Sequence, residues 1–379
     1  MKTVILMDSF KGSLTSLEAG CAVKDGILRV DSKQEVMVYP FADGGEGTLA
    51  AFLNSADKSA EFKVTVSDPL GRPINAKCGI LSDNMVIIES AKACGLNLLT
   101  EDERNPLYTT TYGLGELIKD ALNRGYKDFI VGIGGSATND CGIGMLSALG
   151  FEFLDKDNKP VAISAAGLGK VAYILNDNVI PELKDCKFTI ACDVKNPLFG
   201  ENGATYVFAK QKGAKDTDLP LMDSAMRSFS EVVKKEYKDA NPYAEGAGAA
   251  GGLGFAFRTF LNGTMRPGAE LLIEKTDIEN RIKEADIVIT GEGCMDYQTA
   301  MGKAPIRIAK IAKKYGKTVI AIVGTVGDNY EKCYDAGIDY IVPATEPSDD
   351  IANAMKPEVA SENLRRVSSE IAEKLIKGV

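Results

Sequence analysis

The sequence predicts an α/β chain with mainly parallel sheets, divided into two domains. Three observations carry this. Short apolar runs rich in β-branched residues recur along the chain and each closes in a polar, glycine-rich loop. A segment of helical periodicity follows many of these loops, and such alternation is the signature of parallel sheets covered by helices. A length of 379 residues favours two domains over one.

The elements can be justified in order. VILM at 4–7 runs into DSFKGS, after which Thr15 and Glu18 stand three apart as a capping box ahead of the apolar face Leu17, Cys21, Ile27 and Leu28. EVMVYPF at 35–41 leads into ADGGEGT. Leu114, Leu117, Ile118, Ala121 and Leu122 keep a 3.6-residue face that stops before Gly125. FIVGI at 129–133 leads into GGSATND, FTIA at 188–191 into CDVKNPLFGENGA, and IVIT at 287–290 into GEGCMDYQ. Pro305 opens a further helix that ends at Tyr315–Gly316 behind a cluster of lysines. The strand FIVGI fits either domain on sequence alone.

Composition removes whole classes of chemistry. Histidine is absent, which excludes Ser-His-Asp and Cys-His triads and histidine-ligated zinc, and leaves acid–base work to Asp, Glu, Lys, Tyr or Cys. Hard cations held by oxygen, Mg²⁺ above all, become the expected metal chemistry. Eight scattered cysteines with no CxxC pair are expected to be reduced thiols. The net charge of −9, without a Lys/Arg-rich block, argues against nucleic acid as a partner. Four consecutive apolar residues before Asp8 are too few for a signal peptide, and no later run approaches a membrane span, so a soluble cytoplasmic protein is expected.

The loops themselves point to phosphate. In open α/β sheets the loops at the carboxyl ends of strands converge on the ligand crevice, and helix amino termini there offer free N–H groups to an anion. Five glycine-rich loops each supply an acid: Asp8; Asp43 and Glu46; Asp140; Asp193; Glu292 with Asp296. Carboxylates beside anion-binding backbone make sense when a metal ion sits between them and a polyphosphate. No GxxxxGK[ST] occurs, so the phosphate loop is not of the Walker type. GAGAAG at 246–251 matches GxGxxG, but the preceding KKEYKDANPYAE is charged and no strand. The nicotinamide reading therefore lacks its required context, and these glycines are expected to be structural or anion-binding.

Taken together the motifs resemble the type-1 glycerate kinases. DSFKGSLTS at 8–16, ADGGEGT at 42–48, DPLGRP at 68–73, GIGGSATND at 132–140, ACDVKNPLFGENGA at 191–204, QKGA at 211–214, GAGAAGGLG at 246–254 and GEGCMDYQTAMGKAP at 291–305 follow the family in order over nearly the whole chain. The resemblance implies ATP-dependent, Mg²⁺-dependent phosphorylation of D-glycerate to 2-phosphoglycerate or 3-phosphoglycerate, in a cleft between two α/β domains. One domain is expected to be Rossmann-like with a mainly parallel sheet, built from 1–62 and 285–379. The other, 63–284, is expected as an insertion with a mixed sheet, the placement of 110–150 being open. A monomer or homodimer is expected.

Phosphoryl transfer needs positioning, charge neutralisation and an acceptor hydroxyl whose proton can leave. Asp193, just past an apolar strand, is the first candidate for metal binding or for taking that proton. Asp8 and Asp296 follow strand runs in the same way, and Asp296 is the second metal candidate. Lys11, Lys212 and Lys303 lie in glycine loops where an ammonium would neutralise phosphate or carboxylate. Gly134, Gly135, Ser136, Thr138 and Asn139 are expected to bind substrate or nucleotide, as are Ser9, Asp43, Gly44, Gly45, Glu46, Asn196, Gly291, Glu292 and Gln298 in the matching motifs. Arg72 and Arg266 are expected to reach a carboxylate. Cys294 stands where the family usually carries a basic residue, and Lys303 is the expected substitute for that charge.

Overall fold

The computed structural model describes residues 1–379 except Asp43, Asp57, Ser82, Asp83, 347–349 and 378–379, with backbone alone at 376 and 377. Asp43, one of the expected binding residues, therefore lies outside the described residues. In chain order the strands are β1 Lys2–Met7, β2 Glu35–Val38, β3 Ser59–Ser67, β4 Pro73–Leu81, β5 Met85–Glu89, β6 Asp128–Gly132, β7 Glu152–Leu154 and β8 Tyr173–Leu175. They continue with β9 Lys187–Ala191, β10 Thr264–Arg266, β11 Ile287–Gly291, β12 Cys294–Met295, β13 Thr318–Val323, β14 Thr325–Val326 and β15 Tyr340–Pro343. The fold is α/β, with one parallel and one mixed main sheet.

The chain divides into two units, the first comprising 1–43, 50–57 and 269–379, the second 44–49 and 58–268. Against the expected boundaries at 62/63 and 284/285, 44–49 and 58–62 group with the second unit, and 269–284 groups with the first. Its helix Ile278–Glu284 buries Ile278 and Ile282, packs beside β1, and extends Glu279 to Lys314 and Tyr315. Residues 110–150 fall wholly in the second unit, because β6 pairs with both β5 and β9.

The first unit holds a five-stranded, all-parallel sheet in the order β15-β13-β11-β1-β2. Its strands are near-continuous apolar runs, as expected where helices cover both faces. Ile5, Met7, Ile289 and Ile322 pack with Val23 and Ile27 of the helix Ser16–Val30 and with Leu364 and Val367 of the helix Pro357–Lys377. The capping box read from sequence is formed in full. Thr15 N–H and Oγ1 both donate to Glu18 Oε2, at 2.9 and 2.8 Å, and Glu18 N–H donates to Thr15 Oγ1 at 3.2 Å.

The second unit holds a six-stranded mixed sheet, β10-β9-β6-β5-β4-β3, parallel from β10 to β5 and antiparallel through β4 and β3. Its core stacks Phe129 on Phe188 at 4.9 Å between ring centroids and sets Phe257 against Phe188 at 5.8 Å. No helix among the described residues is long and apolar enough to cross a membrane.

Thr15→Ala removes the hydroxyl that serves Glu18 from both sides. We expect a loss of about 1 kcal/mol in the stability of the first unit, the usual worth of such a cap, measurable by chemical denaturation followed with a probe local to that unit.

Candidate active site

In the first unit, parallel pairing places the ends of β1 and β11 side by side. Met7 is in register with Gly291, and Asp8 N–H donates to Gly291 O at 2.8 Å. Gly291 is required at this point, because a Cβ there would lie 1.8 Å from Ile322 O. Asp8 Oδ1 accepts the N–H of Ser9 at 2.7 Å, so the first acid shapes its own loop. Beyond Gly291, Glu292 is 7% exposed and its Oε1 accepts from Thr299 Oγ1 at 2.6 Å. Burial pushes the Glu292 carboxyl above its ordinary range, against the pull of Lys303 and Lys11. Asp296 caps the short helix Tyr297–Ala300, accepting from Gln298 N–H at 2.9 Å and Thr299 N–H at 3.2 Å. Lys303 Nζ stands 3.6 Å from Asp296 Oδ1. Glu292, Asp296, Lys303 and Lys11 thus form one electrostatic group at the carboxyl edge of the sheet. Cys294 lies in the same loop and is exposed.

In the second unit, Glu89, Gly132, Ala191 and Arg266 occupy one row across β5, β6, β9 and β10. The loop after β6 is packed backbone to backbone against residues 44–48. Gly134 N–H donates to Gly44 O at 3.1 Å, and a Cβ on Gly134 would lie 2.5 Å from Gly45 Cα. A Cβ on Gly44, whose φ is +106°, would lie 2.5 Å from Ala191 O. Glu46 is exposed and accepts from Asn97 Nδ2 at 3.1 Å.

From the other side, Lys212 and the 246–254 segment hold the same loop. Lys212 is 3% exposed, and its Nζ donates to Ser136 Oγ at 2.8 Å and to Thr138 O at 2.7 Å. Gly251 donates no side chain but accepts Cys141 N–H on its carbonyl oxygen at 2.9 Å, and a Cβ there would lie 2.1 Å from Thr138 O. Ala250, Gly251 and Gly252 run consecutively at positive φ to permit this approach. GAGAAGGLG is therefore a packing surface for the 138–141 backbone, with no strand ahead of it.

The expected site residues divide by environment. Gly134 and Gly135 reach solvent, whereas Ser136, Thr138 and Asn139 are buried, with Asn139 Nδ2 donating to Thr205 Oγ1 at 3.0 Å. Asp193 is exposed just past β9, and Asn196 Nδ2 donates to Asn202 O at 2.8 Å. Gln298 is exposed. Asp140 departs from the reading as a ligand-side acid. It is fully buried, accepts from Thr111 N–H and Oγ1, Gly142 N–H and Gly144 N–H, and so ties the 109–111 segment to the start of the helix Ile143–Ala148. Arg72 does reach carboxylates, but they are those of Asp68 and Glu103. Thr299 was missed; its signal in the sequence was the third place of the Asp296 capping box.

Metal binding can be weighed on the donors present. Among the described residues no group of three or more Cys, Asp or Glu is arranged to hold a metal ion. Mg²⁺ carried by a polyphosphate needs only one or two protein carboxylates. Asp193, exposed at a strand end, fits that requirement; Asp296 already serves two N–H groups and faces Lys303.

The model of the glycerate kinase family matches residues 3–376. The chain belongs to the glycerate kinase family. It is therefore an enzyme of the kinase class. A glycerate kinase of Halalkalibacterium halodurans is 42% identical over 341 residues, 89% of this chain and 90% of the relative. The glycerate 2-kinase of Escherichia coli K12 is 39% identical over 380 residues, 100% of this chain and 99% of the relative. A crystal structure from Salmonella typhimurium LT2, provisionally assigned as a glycerate kinase 2, superposes with a TM-score of 0.82 at 37% identity and covers 100% of this chain and 99% of its own.

Lys212 makes the second unit's loop sensitive to pH. Burial pushes its ammonium down to about 8, opposed by Cys94 and Asp140. Because its folded pKa lies below the unfolded value, the group's contribution to stability rises with pH from about 8 towards the ordinary lysine range. The charge that grips Ser136 and Thr138 fades as pH rises through about 8. We expect kcat/KM to decline as pH rises through about 8 without a matching fall in thermal stability, and Lys212→Met to lack that limb. A flat wild-type profile across it would show that the ammonium charge is not needed.

Proposed function

We propose that this enzyme, as a type-1 glycerate kinase, transfers the γ-phosphoryl group of ATP to the 2-hydroxyl of D-glycerate, with Mg²⁺. The observation that carries this is the set of acids and lysines at the carboxyl edges of both sheets, in a chain of a kinase family that has no histidine. The 2-hydroxyl is preferred because the Escherichia coli relative, aligned over the whole chain, is a glycerate 2-kinase. We take the protein to be cytoplasmic, a monomer or homodimer, with small molecules as its only substrates.

The residues divide the work as follows. Asp193 takes the proton of the attacking hydroxyl or holds Mg²⁺, which would neutralise the phosphate oxygens when bound, while Asp296 holds Lys303 and the turn at 297–300. Lys11 and Lys303 supply positive charge next to Glu292, where transferred phosphate or substrate carboxylate would gather it. The exposed Gly135 and the half-buried Gly45, which carry no side chain, offer close backbone approach to an anion. Asp8, Ser9, Glu46, Asn196, Gly291 and Gln298 complete the proposed set, with Lys212 supporting the loop through Ser136 and Thr138, and Asn139 through Thr205.

Purified protein should consume ATP only when D-glycerate and Mg²⁺ are both present, and EDTA should stop it. Phosphorus NMR of the product should show 2-phosphoglycerate; a 3-phosphoglycerate signal would reassign the acceptor hydroxyl. Asp193→Asn should lower kcat by ~10²-fold or more, the scale of general acid–base contributions, with thermal stability close to wild type. Unchanged turnover would reduce Asp193 to a turn residue.

A further inference from the structure

We propose that Thr299, to which no role has been given above, is a positioning residue that locks Glu292, Asp296 and Lys303 into one arrangement. The inference rests on the reading of those three as site residues. The helix Tyr297–Ala300 has four residues, and Thr299 is its only buried one. A single helical turn does not hold itself in water. Met295 ahead of it is buried and the Tyr297 N–H donates to Asp328 O at 3.0 Å, which hold the start of the turn, but Tyr297 is 44% exposed and Met301 82%, so apolar packing does little for the rest. What ties the turn to the acids around it is the Thr299 hydroxyl.

That hydroxyl works in both directions. Thr299 Oγ1 donates to Glu292 Oε1 at 2.6 Å and accepts the Asp296 N–H at 3.2 Å. The Thr299 N–H returns to Asp296 Oδ1 at 3.2 Å, and its carbonyl oxygen accepts from Gly302 N–H at 3.0 Å and Lys303 N–H at 3.2 Å. One residue thereby touches the buried acid, the capping acid and the backbone of the lysine. An ordinary capping box would need only the contact with Asp296. The added bond to a buried carboxylate seven positions earlier fixes the rotamer of Glu292 relative to Asp296. Side chains held in this way keep the sub-ångström placement that transfer chemistry needs.

Valine has the shape of threonine without the hydroxyl, and serine keeps the hydroxyl without the methyl, so the two variants separate the roles. Kinetics with ATP, Mg²⁺ and D-glycerate, normalised to folded protein by circular dichroism, should show Thr299→Val with kcat lowered about 10- to 100-fold, the cost of displacing reacting groups by about an ångström. KM values should change much less, and Thr299→Ser should recover most of the turnover. Normal kcat in Thr299→Val alongside an impaired Glu292→Gln would overturn the inference alone. Equal impairment of the valine and serine variants would also overturn it, by assigning the effect to packing of the methyl group, as would a valine variant whose loss is wholly a loss of folded protein. Normal turnover in both Glu292→Gln and Asp296→Asn would instead sink the reading of those acids as site residues.

Discussion

In-register parallel pairing is the constraint on which the rest of the structure depends. A parallel strand can deliver its following loop only at the edge where its neighbours deliver theirs. Met7 opposite Gly291 makes Asp8 and Glu292 neighbours although 284 positions separate them (292 − 8). Glu89, Gly132, Ala191 and Arg266 do the same across the second sheet, so the loops at 133–140 and 192–196 begin level with one another. A slip of one residue would exchange the side chains presented to the two covered faces and spoil their interdigitation with the helices, so register is fixed by the core and the site inherits that precision.

Glycine converts this alignment into a surface. Where Gly134 meets Gly44 and Gly45, and Gly251 meets Thr138, backbones approach to distances that a Cβ would forbid. The loop of the second unit is consequently held by main-chain packing from above and by the buried Lys212 from below. Side chains are spared for other work, which suits a reaction in which the protein contributes placement and charge more than covalent chemistry.

Much of this was legible in the sequence. Five strand ends, the Thr15–Glu18 cap, the helices at 112–123 and 304–314 and the lack of a strand ahead of GAGAAGGLG could be read from periodicity and punctuation. Burial of polar residues was not. Asp140 and Asp193 look alike in sequence, each a few residues past an apolar run, yet one is sealed in by Thr111, Gly142 and Gly144 and the other is exposed. The difference comes from the 109–111 segment folding over the first, a contact 29 positions away that no local pattern encodes. Lys212 is hidden by the same kind of long-range contact, to Ser136 and Thr138. The boundary at 268/269 also escaped the reading, since it is set by packing of Ile278 and Ile282 and not by any linker composition.

The proposed activity requires the acids, lysines and glycine turns at the carboxyl edge of each sheet to bind the substrates. A crystal structure with a non-hydrolysable ATP analogue, Mg²⁺ and D-glycerate tests it most directly. Ligand contacts are expected from the loops that carry Asp8, Gly44 to Glu46, Gly134 and Gly135, Asp193, and Glu292 to Lys303. Ligands lodged away from these loops, or touching the strands' opposite ends, would contradict it.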